Sequence, residues 1–253
     1  EGGLDNSPAW DSALAQVDPR RAPPFERVDD TRVDPSLRPT DDDYRRYIAL
    51  VAEIRAADHG TGSFIVYDPL MTALAVSGDR SLARVADAAG RGDIAERAES
   101  RALRRQRGLV AHLYDEALGR FGYLDARSRA LATPLCVGAF MPLVADLPPM
   151  IHRRLLGGLR EVLLCERGIL STSRSEAAFD ARRYWRGPIW LNLHWLLMPA
   201  VGEELRELAL ALVAEQGFWE YFDPDSGAGL GGSDFTWSAA LTLDFLHPAA
   251  LPS

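Results

Sequence analysis

Glu220 stands in the run Phe218-Trp219-Glu220-Tyr221-Phe222. Aromatic rings on both sides desolvate a carboxyl group and tune its pKa for proton transfer. Near the start, Asp5 and Asp11 lie six positions apart around Asn6-Ser7-Pro8. Two carboxyl groups on separate loops, surrounded by aromatic side chains, are the minimum equipment for cleaving a glycosidic bond by acid and base catalysis. Taken alone, Asp5 before Ser-Pro reads first as a helix cap, and spacing along the chain does not put Asp5 and Glu220 in one pocket.

All six tryptophans fall in three short segments: Trp10; Trp185, Trp190 and Trp195; and Trp219 with Trp237. A flat apolar ring with a polar N–H suits the C–H faces of a sugar and a core position alike. In the middle segment Gly187-Pro188 breaks the chain and starts a helix that presents Trp190, Asn192 and His194. Arg186 offers a planar fork for hydroxyls or a carboxylate. His194, alone on an apolar helix, is given no role. The glycines at 227–232 follow no strand, which argues against a phosphate loop. Asp223 and Asp225 have their glycine misplaced for a calcium-binding EF-hand. No metal and no cofactor are expected.

The elements that must carry these residues read as helix after helix. Thr40 is an N-cap with Asp41, Asp42 and Asp43 in the first turn, and Tyr44, Tyr47, Ile48 and Val51 form one apolar stripe. Asp68-Pro69 starts a second, short helix that Gly78 should end. Leu103, Val110, Leu113, Tyr114 and Ala117 indicate a third, closed by Gly119. Helical spacing recurs at Leu155, Leu156, Leu159, Val162 and Leu163 after Pro148-Pro149, and at Leu205, Leu208 and Leu212 before Gly217. Strand signals are scarce, and polar clusters such as Asp225-Ser226-Gly227 join the helices. The expectation is all-α.

A chain of 253 residues, 47% hydrophobic and 25% charged, can bury one sizeable core. Every one of its 28 positive side chains is arginine, and 36 acidic residues leave a net charge of −8, which would repel a phosphate backbone. Nucleic acid is therefore not an expected partner. Cys136 and Cys165 suggest neither a disulfide framework nor a zinc site. With no apolar run near the ~20 residues of a membrane span, no membrane partner and a cytoplasmic location are expected.

Three motifs together resemble glycoside hydrolase family 63, with greatest likeness to bacterial mannosylglycerate and glucosylglycerate hydrolases: Gly-Leu-Asp-Asn-Ser-Pro-Ala-Trp-Asp at 3–11, Tyr-Trp-Arg-Gly-Pro-Ile-Trp at 184–190, and Glu-Tyr-Phe-Asp-Pro at 220–224 with Phe-Thr-Trp-Ser-Ala-Ala at 235–240. The resemblance runs in order along nearly the whole chain. It implies one glycosidase domain over 1–253 with an (α/α)6 barrel, whose first helices are expected upstream of this sequence. It also implies an inverting hydrolase of a small α-glucoside or α-mannoside, with Asp5 as general acid and Glu220 as general base. By the same resemblance Trp10, Tyr184, Trp185 and Trp190 wall the sugar pocket, with Arg186 beside them, and Arg38 with Tyr44 holds a glycerate carboxylate. The alternatives are an inactive sugar-binding remnant, or a trehalase or oligosaccharide α-glucosidase activity.

Overall fold

The computed structural model describes residues 3–31, 33–59 and 62–247. Among them are eight α-helices: α1 (Asp11–Leu14), α2 (Asp41–Ala56), α3 (Pro69–Ala88), α4 (Gly92–Leu113), α5 (Pro149–Val162), α6 (Leu191–Val201), α7 (Glu204–Gln216) and α8 (Thr236–Leu246). Nine short strands sit between them: β1 (Val66–Tyr67), β2 (Tyr114–Asp115), β3 (Arg120–Phe121), β4 (Tyr123–Asp125), β5 (Leu131–Ala132), β6 (Leu164–Cys165), β7 (Gly168–Ile169), β8 (Trp219–Phe222) and β9 (Gly229–Ser233). They pair as the antiparallel sheet β1-β4-β5 and three two-stranded hairpins. The helical reading stands, and the hairpins are what it missed: strands of two to five residues carry too little alternation to register in a sequence pattern.

Local chemistry sets the helix starts. Thr40 and Asp43 form a reciprocal capping box on α2. Asp68 accepts from the Leu70 N–H at 2.8 Å, with Pro69 at the first helical position of α3. Two helix ends differ from expectation. α3 does not stop at Gly78 but continues another ten residues, because Asp79, the very next residue, is buried and gathers Arg101 and Arg105 from α4. It ends instead at Gly90 (φ +69°), where Arg91 N–H reaches Ala86 C=O and Gly90 N–H reaches Asp87 C=O, a Schellman closure. α4 stops at Leu113 rather than running through Ala117. Tyr114 crosses to Phe121 in the β2–β3 hairpin, with ring centroids 5.1 Å apart, and Gly119 serves that turn.

One core unites α3 to α8, with Leu109, Leu155, Leu159, Leu197, Leu205 and Phe245 fully buried within it. α3 packs on α4, and α6 packs on both α7 and α8. α8 buries Ser238, Thr242 and Phe245 while exposing Trp237, Leu243 and Leu246, so its outward side is the more apolar one. No described helix is long and apolar enough to cross a membrane.

Gly78 lies inside α3 with open space where a side chain would project. Gly78→Ala is therefore expected to stabilise the protein by about 0.5–1 kcal/mol through helix propensity and lost unfolded-state entropy. Urea titrations of the two proteins check this. A destabilised variant would show that the exposed face of α3 is closely covered.

Candidate active site

Glu220 owes its position to an irregular hairpin. In β8–β9, Trp219 faces Ser233 and Tyr221 faces Leu230, so Gly231 and Gly232 together oppose Glu220 in a β-bulge. Gly231 takes φ +75°, and a Cβ there would collide with Glu220 Oε2. A side chain at 231 is excluded twice over, by backbone conformation and by space.

The Glu220 side chain is 8% exposed and Arg38, its counterion, 12%. Arg38 donates from Nη1 to Oε1 at 3.0 Å and from Nη2 to Oε2 at 2.7 Å, and Gly232 N–H adds a third bond to Oε2 at 3.1 Å. A carboxylate oxygen has two lone pairs. Among the described residues Oε2 is therefore saturated, and Oε1 keeps one acceptor position. The guanidinium lies over the Tyr184 ring, 4.8 Å from its centroid. The segment bearing Arg38 is fastened by the Tyr221 hydroxyl, which donates to Leu37 C=O at 2.9 Å.

Asp5 is exposed, on a loop held largely by its carbonyls and by its neighbours. Leu4 C=O accepts from Trp10 Nε1 at 2.7 Å and from Ser7 N–H at 2.9 Å, and Tyr47 donates its hydroxyl to Asp5 C=O at 2.6 Å. Asn6, buried, accepts from Trp185 N–H at 2.9 Å, which ties this loop to the 184–190 segment. Ser7, not Asp5, caps the short 3-10 turn Pro8–Trp10. Burial, and then the charges of Asp5 and Glu220, push the Tyr184 phenol up. Burial, then Asp43 and then Asp5 push up that of Tyr47.

The remaining residues divide around this pair. Trp185 and Trp190 are only 3% and 2% exposed and stack on each other, 3.9 Å apart and 5° from parallel, with Tyr221 continuing the stack at 4.7 Å. They are packed side chains rather than open faces. Tyr184, half-buried at a strained φ of +44°, meets all three edge-on and accepts from Trp190 Nε1 at its carbonyl. Trp10 packs edge-on against Tyr123 and Phe64. Arg186 forms a two-pronged pair with Asp11 at 3.0 and 2.6 Å. Tyr44 donates to Asp29 at 2.8 Å beneath Arg27, its phenol pushed up to about 12 by burial and by Asp29.

His194 is fully buried, accepts from Ile169 N–H at 3.0 Å, and is pulled down to about 4 by burial. It is a neutral structural residue. Asp223 closes its own turn by accepting from Asp225 and Ser226 N–H groups, and no group of potential metal ligands occurs among the described residues. Sequence reasoning missed Asn6, Tyr47, Tyr221 and the Gly231-Gly232 pair. The glycines carried a signal, since two adjacent glycines in a strand mark a bulge or a close approach.

Helices joined by short hairpins, as here, are the architecture of the (α/α)6 toroid of glycoside hydrolases. The chain belongs to the mannosylglycerate hydrolase MGH1-like glycoside hydrolase domain family, whose profile matches residues 1–238. It is 34% identical over 260 residues to a mannosylglycerate hydrolase of Thermus thermophilus, covering 96% of this chain and 62% of that protein. It is 31% identical over 268 residues to the glucosylglycerate hydrolase of Mycolicibacterium hassiacum, covering 97% and 60%. The crystal structure of a family 63 mannosylglycerate hydrolase from Thermus thermophilus, in complex with Tris and D-glycerate, superposes with a TM-score of 0.88 at 32% identity, covering 96% of this chain and 62% of that one. The chain thus spans about three-fifths of the length of these relatives.

Gly231→Ala is expected to destabilise the protein by about 1–3 kcal/mol, since a non-glycine residue would be held at positive φ while displacing Glu220. Denaturant unfolding measures it. A change within about 0.5 kcal/mol, the range of an ordinary surface substitution, would show that the bulge is not held to its present form.

Proposed function

We propose that this chain supplies the acid and the base of an inverting α-glycoside hydrolase acting on a small α-glucoside or α-mannoside such as glucosylglycerate or mannosylglycerate. Asp5 protonates the leaving glycosidic oxygen while Glu220 takes a proton from a water on the opposite face of the ring. The observation that carries this reading is that the 184–185 segment touches both loops, with the Glu220-bound guanidinium of Arg38 over the Tyr184 ring at 4.8 Å and Trp185 N–H donating to Asn6 beside Asp5 at 2.9 Å, which supports one cleft for two carboxylates from loops more than two hundred residues apart. Oε1 of Glu220, with its spare acceptor position, is the atom assigned to water activation.

The two groups suit their roles. Glu220 is oriented by a bidentate guanidinium and a backbone N–H, with an acceptor position on Oε1 left for a water. Asp5 is an exposed residue on a loop whose other members, Leu4, Asn6, Ser7 and Ala9, are buried. Tyr184 and Trp10 line the sugar, with Trp185 and Trp190 behind, and Arg186 orders the acid side through Asp11. The names of the relatives support glycerate as the aglycone, and Arg38 with Tyr44 is the cationic and hydroxyl pair proposed to meet its carboxylate. Two free thiols, Cys136 and Cys165, accord with a cytoplasmic location, and the net charge of −8 accords with the lack of a nucleic-acid partner.

Glu220→Gln and Asp5→Asn are each expected to cut turnover by roughly 10²–10⁴-fold with the fold intact. NMR of the first product formed should show the inverted anomer. Full activity in either variant, or a retained anomer, would overturn the corresponding assignment. Arg38→Ala should lower kcat on every substrate, because Glu220 loses its counterion. It should also raise KM for a glycerate glycoside more than for a neutral disaccharide, and equal KM changes would remove the case for an acidic aglycone.

A further inference from the structure

Three consecutive residues ahead of α2 each meet a side chain from elsewhere in the chain. Arg183 Nε donates to Ser36 C=O at 3.3 Å, the Tyr221 hydroxyl donates to Leu37 C=O at 2.9 Å, and Arg38 itself reaches Glu220. The last two contacts come from neighbouring residues of β8. That strand is held on both sides, by β9 and by the paired bonds between Phe222 and Ile189. Leu37 and Tyr221 are both buried. A single peptide unit therefore separates the proposed base from the hydroxyl that holds the main chain leading into Arg38.

We infer that Tyr221 is a positioning residue for the Arg38–Glu220 pair, its hydroxyl fixing where the arginine side chain starts and so how the guanidinium meets the carboxylate. The inference rests on the hydrolase reading above. Between its Cα and its terminal nitrogens no hydrogen bond steadies Arg38, since Nε is buried without a partner among the described residues. The far end follows Glu220 and the near end follows the main chain, so the main chain decides the angle of approach. That angle matters for Oε1, which takes one guanidinium N–H and keeps one acceptor position for a water. A guanidinium shifted toward Oε1 would fill that position, and one drawn back would leave a buried carboxylate unpaired. Tyr221 is itself well fixed. Its ring stacks on Trp190 at 4.7 Å and meets edge-on, at 5.7 Å, the Tyr184 ring that underlies the guanidinium. Burial pushes its phenol up, so the donor keeps its proton at any pH where a carboxylate base could work.

Tyr221→Phe keeps the ring and removes only the hydroxyl. A base is needed whichever group leaves, whereas a glycosyl fluoride loses fluoride with little proton help. In the full chain the variant should therefore lower kcat on α-mannosyl fluoride as much as on mannosylglycerate, by about tenfold to a hundredfold, since misplacing a catalytic group by about 1 Å costs on the order of a hundredfold. A double-mutant cycle isolates the route. In an Arg38→Ala background the further loss should be no more than about twofold, because no guanidinium is left to misplace. Hydrogen exchange by mass spectrometry supplies a readout that needs no turnover. Peptides covering 33–40 should exchange about tenfold faster in Tyr221→Phe, the scale of one lost hydrogen bond, while those covering 3–10 stay unchanged. Unaltered exchange at 33–40 overturns the fastening whether or not any sugar is cleaved. Equal losses of kcat in the two backgrounds overturn the positioning role and leave Tyr221 a structural residue. A loss confined to mannosylglycerate overturns it as well, because the hydroxyl would then serve the aglycone and not the base. Faster exchange in the variant, with a wild-type chain that cleaves neither substrate, supports the fastening while refuting the hydrolase reading.

Discussion

The Glu220 side chain is 8% exposed, and the partner it meets there is Arg38, itself 12% exposed. Removing one member of a buried ion pair typically costs about 3–5 kcal/mol, because the survivor keeps its desolvation penalty without compensation. Much of the surrounding structure follows from keeping this pair whole. The bulge turns Gly232 N–H toward Oε2, Gly231 clears the space beside it, and the Tyr221 hydroxyl fastens the chain that delivers Arg38. Tyr184 accepts a strained backbone so that its ring can lie under the guanidinium. Lysine would not substitute, since one ammonium cannot meet both carboxylate oxygens in parallel.

The two proposed reacting groups are held by opposite means. Glu220 is held through its buried side chain, whereas the loop of Asp5 is tied down through its main-chain carbonyls. Between them the Trp185–Trp190–Tyr221 stack forms a rigid aromatic wall, continued by Ile189, whose N–H and C=O both pair with Phe222 at 2.9 Å. That pairing joins the 184–190 segment to the strand carrying Glu220. The Asn6 bond to Trp185 joins the same segment to the loop carrying Asp5. The wall is therefore also the connector.

The helical architecture and the two carboxylate motifs were legible because each has a local signature. Thr40-Asp41-Asp42-Asp43 announces a helix start, and Glu220 among four aromatic residues announces a desolvated carboxyl. The ends of α3 and α4 were not legible. Gly78 carries every mark of a helix terminus, but the ion pairs that carry α3 past it come from Arg101 and Arg105, more than twenty residues on. The same holds for Tyr47, which reads as one more apolar position in a stripe until its hydroxyl is seen to reach the Asp5 loop. Arg38 is the sharpest case: its resemblance-based role concerns a ligand, while its present partner is a residue 182 positions away. Long-range partners leave no periodicity behind them.

The positive members of these ion pairs, at Glu220, Asp11, Asp79 and Asp29 alike, are all arginines, in a chain with no lysine side chain at all. A lysine ammonium begins to discharge near pH 10.4, whereas a guanidinium keeps its charge beyond about 12. Raising the pH therefore strips no side-chain cation from the framework that orders the cleft, and the half-buried tyrosines at 44, 47 and 184 are pushed in the same direction, toward later ionisation. Alkali tolerance is built into the choice of cation. Amine-directed chemistry, whether acylation in the cell or labelling at the bench, finds no side-chain target on this polypeptide.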